Sequence, residues 1–111
     1  MTESRSELLK GTLDMLVLKT LAMEPMHGWG VSERIRQISA DVFQVNQGSL
    51  YPALQRLKRK GWIRSQWRVT ENNRRARYYT LTAAGRRQLD AERHEWERSV
   101  SAVNRILQTA Q

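Results

Sequence analysis

The sequence predicts a mainly α fold with a small β-hairpin (α+β), in the order α-α-α-β-β-α. Three observations carry that reading. Apolar residues recur at helical spacing in four stretches, two short alternating stretches end at Val69 and Leu81, and Gly61 stands between the third helical stretch and the first alternating one. The 111 residues suit one folding unit, and a chain this short buries a modest core that association can supplement.

Ser4-Arg5-Ser6-Glu7 has capping-box spacing and opens the first helix. Leu9, Leu13, Leu16, Val17 and Leu21 form its stripe, widened by Leu8, Thr12, Met15 and Leu18. A stripe this wide implies burial on two sides, against the chain's own core and a second subunit. Glu24-Pro25 stops the helix. Met26-His27-Gly28-Trp29-Gly30 reads as a turn. The second helix runs from about Gly30 to Ser39, with Val31, Ile35 and Ile38 inward. Val42, Phe43 and Val45 form an extended link that touches the core.

The third helix spans Gln47 to Lys60, with Leu50, Ala53, Leu54 and Leu57 inward and Gly61 in the left-handed position after its end. Pro52 is placed in its first turn, where a missing N–H costs nothing, and the N–H groups of Gly48 and Ser49 are left to meet an anion. Trp62 to Val69 is a strand, Tyr78 to Leu81 its partner, and Glu71 to Arg77 the charged loop between them. Trp62 and Trp67 are assigned to core packing. Thr82 caps a last helix from Ala83. Along it Leu89, Arg93, Trp96, Val100, Val103, Leu107 and Ala110 step by four and three, a heptad seam with one polar member. Such a helix would be ~40 Å long, too long to pack fully on so small a body, and its seam pairs most simply with itself about a two-fold axis.

The formal net charge is +8 with a sequence pI near 10.8, and arginine supplies fifteen of the nineteen basic residues. Its planar fork suits phosphate. There are no cysteines, hence no disulfide framework or thiolate metal site, and no metal or cofactor is expected. The longest apolar run, Met15 to Leu18, cannot span a bilayer, and the start of the chain lacks a signal-peptide apolar region. No membrane role is expected, and a cytoplasmic location is. His27 and His94 lack companion ligands or a nucleophile, and no phosphate loop or serine elbow occurs, which argues against an enzyme.

A short helix with a polar free face followed by a basic hairpin is the arrangement of a winged helix-turn-helix that grips double-stranded DNA. Residues 1–82 would form that DNA-binding unit and residues 83–111 the C-terminal dimerisation helix. The third helix offers Gln47, Ser49, Tyr51, Gln55, Lys58 and Arg59: amides for base edges, hydroxyls and cations for phosphate. The wing offers Arg74, Arg75 and Arg77, suited to phosphate or to a narrow minor groove. Arg68 either joins them or pairs with Glu71. Glu92, Glu95 and Glu97 alternate with arginines as helix-face ion pairs. Leu89, Arg93, Trp96, Val100, Val103 and Leu107 form the dimer seam.

Four blocks give a more specific signal: Met26-His27-Gly28-Trp29, Gly48-Ser49-Leu50-Tyr51-Pro52-Ala53-Leu54-Gln55-Arg56-Leu57, Gly61-Trp62-Ile63 and Arg77-Tyr78-Tyr79-Thr80-Leu81-Thr82-Ala83-Ala84-Gly85. In order and spacing the chain resembles the PadR family of bacterial transcriptional regulators over about three quarters of its length. Trp29 stands where the family usually has tyrosine, and the single long last helix looks like its shorter branch. The resemblance implies a winged helix-turn-helix dimer held by the C-terminal helix, which binds an inverted repeat, usually represses, and commonly answers to small aromatic or cationic effectors. It also puts Tyr51 and Pro52 against the phosphate backbone, Tyr51 donating its hydroxyl and Pro52 in close contact. Trp96 keeps two readings: a packed seam residue, or half of an indole pair that sandwiches a planar ligand. The alternative for the whole chain is a protein-interaction module that keeps this fold without specific DNA binding.

Overall fold

The computed structural model describes residues 2–110, with side chains from Thr12 onward. Its elements are α1 (Thr2–Met23), β1 (Met26–His27), α2 (Gly28–Ile38), α3 (Gln47–Arg59), β2 (Ile63–Val69), β3 (Arg75–Leu81) and α4 (Ala83–Gln108). The α+β class is as the sequence predicts. The strands form one antiparallel sheet in the order β1-β3-β2, with Ile63 opposite Leu81 and Val69 opposite Arg75.

Leu13, Val17, Leu18 and Leu21 of α1, Val31 and Ile35 of α2, Leu50, Ala53, Leu54 and Leu57 of α3, and Ile63 and Tyr79 of the sheet enclose the core. Each fully buried leucine contributes about 1.5–3 kcal/mol relative to exposure. The inner stripe of α3 is therefore fixed, and its polar face can turn only outward. Arg56 reinforces this placement, donating from Nη2 to Asp14 Oδ1 of α1 at 2.7 Å. After Arg59 the helix closes as a Schellman turn: Gly61 N–H donates to Lys58, Trp62 N–H donates to Leu57, and Gly61 has φ +77°.

Several local expectations are corrected. Helix α1 begins at Thr2, ahead of the Ser4–Glu7 box, whose side chains lie outside the described residues, as do those of Leu8 and Leu9. Met26 and His27 are not merely a turn; they pair with Tyr79 and Tyr78 as β1. The His27 backbone is extended, and its Nδ1 accepts the Gly30 N–H at 3.0 Å, so His27 is the N-cap of α2. Ile38 is 60% exposed rather than inward, because α2 ends there. Of the link that follows, only Val45 is buried; Val42 and Phe43 are exposed.

Pro52 is not in the first turn of α3. Asn46 is the N-cap, so Pro52 is the sixth helical residue and lacks the N–H that would donate to the Gly48 carbonyl. The Ser49 N–H is taken by Asn46 Oδ1 at 2.8 Å, so it is not available to an anion. Strand β3 starts three residues before the expected Tyr78, which places Arg75 and Arg77 on a strand and leaves Thr70 to Arg74 as the turn. Asn73 takes the left-handed conformation there, φ 58°, which asparagine tolerates.

Helix α4 opens on Thr82, whose hydroxyl accepts the Gly85 N–H at 3.0 Å and donates to the Gly61 carbonyl at 2.7 Å. Its 26 residues extend the molecule to 60 × 29 × 22 Å. Only its first turns are covered. Leu89 is buried in the chain's own core, while Val103 and Leu107 are 53% and 75% exposed. None of the described helices is long and apolar enough to cross a membrane.

Candidate nucleic-acid interface

Helices α2 and α3 and the β2–β3 hairpin bound an open cleft of about 580 Å³. Tyr51 and Gln55 come to it from α3, Trp29 from the start of α2, and Trp67, Arg74, Arg75 and Arg77 from the wing. Five of the residues expected at a DNA interface thus meet around one opening: Tyr51, Gln55, Arg74, Arg75 and Arg77. Ser49, Pro52, Lys58 and Arg59 lie on α3 outside the cleft lining, Ser49 half-buried and the other three exposed.

Gly28 accounts for how Tyr51 is set. A Cβ at Gly28 would stand 3.3 Å from the Tyr51 hydroxyl oxygen and 3.4 Å from its ring, so the ring lies against bare backbone. The phenol remains 47% exposed and faces the wing. Burial pushes the pKa of the neighbouring Tyr79 phenol up, with Tyr51 adding to the shift. Gln47 is less free than its position suggests: its Nε2 donates to Ser32 Oγ at 3.2 Å, and Ser32 Oγ donates to the Trp29 carbonyl. The Gln47 side-chain carbonyl oxygen takes no part in this relay.

The wing differs from the sequence reading in one important residue. Trp67 is 55% exposed and is not core. The guanidinium carbons of Arg75 and Arg77 lie 5.1 and 4.9 Å from its ring centre. Arg68 lies over Tyr78 at 5.1 Å rather than pairing with Glu71. Trp62 is half-buried against the core, as expected, with the Lys60 ammonium 4.7 Å above its ring. Trp29 and Trp67 also line the cleft, and the sequence reading did not place them there. The hairpin register would have found Trp67, since it places that residue directly opposite Arg77.

On α4, Trp96 is 44% exposed and borders an open cavity of about 350 Å³ with Met15, Gln88, Glu92 and Glu95. Arg93 pairs with Glu97 at 3.3 Å and Arg98 with Glu95 at 2.9 Å, as helix-face pairs should. Glu92 departs from that pattern. One of its carboxylate oxygens is buried without a hydrogen-bond partner; burial first, then Asp14, raises its pKa, with Gln88 and Lys60 opposing. Among the described residues no group of His, Cys, Asp or Glu could hold a metal ion.

Residues 17–91 match the model of the transcriptional regulator PadR-like family. A transcriptional regulator of Mycobacterium tuberculosis is 31% identical over 91 residues, 82% of this chain and 81% of that protein. The crystal structure of a PadR-like transcriptional regulator from Bacillus cereus has a TM-score of 0.81 at 26% identity, covering 94% of this chain and 99% of that one. A PadR family transcriptional regulator from Eggerthella lenta has a TM-score of 0.82 at 28% identity, covering 98% and 93%. With the winged helix-turn-helix geometry and a match over most of its length, the chain belongs to the PadR-like family, whose members are DNA-binding transcriptional regulators and not enzymes.

Proposed function

We propose that the protein is a cytoplasmic repressor that binds an inverted-repeat operator as a homodimer. The observation that carries this reading is the cleft in which Tyr51 and Gln55 of α3 face Arg74, Arg75 and Arg77 of the wing. In that arrangement α3 enters the major groove, where Gln55 and the Gln47 carbonyl oxygen meet base edges. Tyr51, Lys58, Arg59 and the wing hold phosphates, and Ser49 and Pro52 lie close to the backbone. Dimerisation through α4 is supported by its exposed apolar edge, where Val103 and Leu107 extend a seam through Arg93, Trp96 and Val100. Two copies held at fixed spacing compensate for the small number of base-reading side chains in each.

A small aromatic or cationic effector would act at Trp96, which borders the cavity shared with Glu92 and Glu95. Nuclease footprinting on the DNA upstream of the gene tests the main claim. Protection of two half-sites one helical turn apart, or a multiple of it, is expected. Absence of any footprint, together with a stable complex with another protein through α4, would instead favour the interaction-module reading.

A further inference from the structure

The β2–β3 register places Ser65, Trp67, Arg75, Arg77 and Tyr79 on one face of the sheet, since cross-strand partners share a face and the pattern alternates along each strand. At the inner end Tyr79 is buried in the core. Towards the wing tip this face leaves the core and becomes the wall of the cleft opposite Tyr51. Here an exposed indole lies between the chain and solvent with two guanidinium groups over it. Arg77 is fixed twice, because its Nη1 also donates to Ser65 Oγ at 3.1 Å. Neither arginine has a carboxylate partner among the ion pairs of the described residues.

Two adjacent like charges on one strand repel, and long side chains lose rotamer freedom when held. The ring offsets both effects. Its negative face attracts each cation, and its flat surface limits where the guanidinium groups can lie while leaving the N–H groups not bonded to Ser65 able to donate. We propose that Trp67 is a positioning residue for DNA binding: it holds Arg75 and Arg77 side by side, aimed into the cleft, so that both engage neighbouring phosphates of one strand. This rests on the DNA-binding reading above and deepens it. The wing then grips through its strand as well as through Arg74 at its turn, and the phosphodiester chain runs between Tyr51 and the Trp67 platform. The contact is independent of sequence.

Binding of a mixed-sequence 30-base-pair duplex by wild type and by Trp67→Ala, Trp67→Phe, Trp67→Leu and Arg75→Ala/Arg77→Ala tests this. A parallel measurement without DNA follows the Arg75 and Arg77 side-chain NMR resonances. Loss of two exposed cation–π contacts predicts about five- to thirtyfold weaker binding by Trp67→Ala. The salt slope should be little changed, since both arginines remain. Trp67→Phe should largely restore affinity and the ring-shifted arginine resonances; Trp67→Leu, which keeps apolar bulk but no π face, should restore neither. In the Arg75→Ala/Arg77→Ala background, Trp67→Ala should have no further effect. Equal binding by Trp67→Leu and wild type, or an undiminished Trp67→Ala effect in the double-arginine background, would overturn the positioning role alone. Failure of the wild type to bind any duplex would overturn the DNA-binding reading, which the DNA-free resonances do not depend on.

Discussion

Gly85→Ala changes one hydrogen to a methyl and should nevertheless be among the most damaging single substitutions in the chain. A Cβ at that position would lie 2.0 Å from the Trp62 carbonyl oxygen, 2.9 Å from its carbonyl carbon and 2.7 Å from Leu81 Cδ1. The side chain of Leu81 can yield, but the Trp62 backbone cannot easily do so. Its N–H closes the turn after α3, and its carbonyl accepts the Thr82 N–H at 3.0 Å. Relief therefore means lifting the start of α4 away from the Trp62 backbone, straining the Thr82 cap and its bond to Gly61. Overpacking typically costs about 1–3 kcal/mol and each lost hydrogen bond about 1 kcal/mol. Alanine returns about 1 kcal/mol of helix propensity. The net is a loss of about 2–4 kcal/mol, which for a domain of this size lowers the melting temperature by roughly 10 °C or more. Thermal melting followed by circular dichroism at one fixed protein concentration measures it. Gly48→Ala is the control: its Cβ would meet only the Asn46 side-chain oxygen at 3.2 Å, which can shift, so its melting temperature should change by only a few degrees. A Gly85→Ala protein that melts within about 2 °C of wild type would refute the close approach of α4 to the Trp62 backbone.

Burial raises the Glu92 pKa, so the folded state disfavours its ionised form; stability linked to this group is present below the ordinary carboxylate range and lost as pH rises through the raised value. Glu92→Gln should therefore stabilise the protein at neutral pH, with the gain fading in urea titrations as pH falls into the ordinary carboxylate range. Val103→Glu with Leu107→Glu, on the exposed edge of α4, should shift the protein from dimer to monomer in sedimentation while leaving its helical content intact. Gln55→Ala should change base preference at one position of each half-site by about 1–3 kcal/mol, whereas Arg74→Ala should weaken all duplexes alike.

Where apolar periodicity and punctuation decided the structure, the sequence was legible. The stripe of α3, the Gly61 stop, the Thr82 cap and the α+β order all follow from residues that act locally. What escaped the sequence depended on register or on partners distant along the chain. Strand β3 was read short because Arg75, Ala76 and Arg77 look like loop residues until Trp67 lies opposite Arg77. Trp67 was assigned to the core because tryptophan is usually buried; its place beyond the end of the core is a tertiary fact. The hydrogen bond from the Gly30 N–H to His27 lies within one short segment, but the pairing of His27 with Tyr78 of β3 could not be read from that segment. The Gln47 tether to Ser32 spans two helices, and the role of Gly85 depends on a carbonyl twenty-three residues earlier.

Competition binding between the gene's own upstream DNA and a random duplex of equal length, repeated across salt concentrations, tests the central claim most directly. A dimeric regulator gripping through both wings and recognition helices should prefer the upstream fragment by about a thousandfold or more. If it neutralises ~6–8 phosphates, log K should fall with log salt at a slope of roughly −5 to −7. Equal affinity for the two duplexes with a shallow salt dependence would contradict the claim that α3 and the arginine wing form an operator-reading surface.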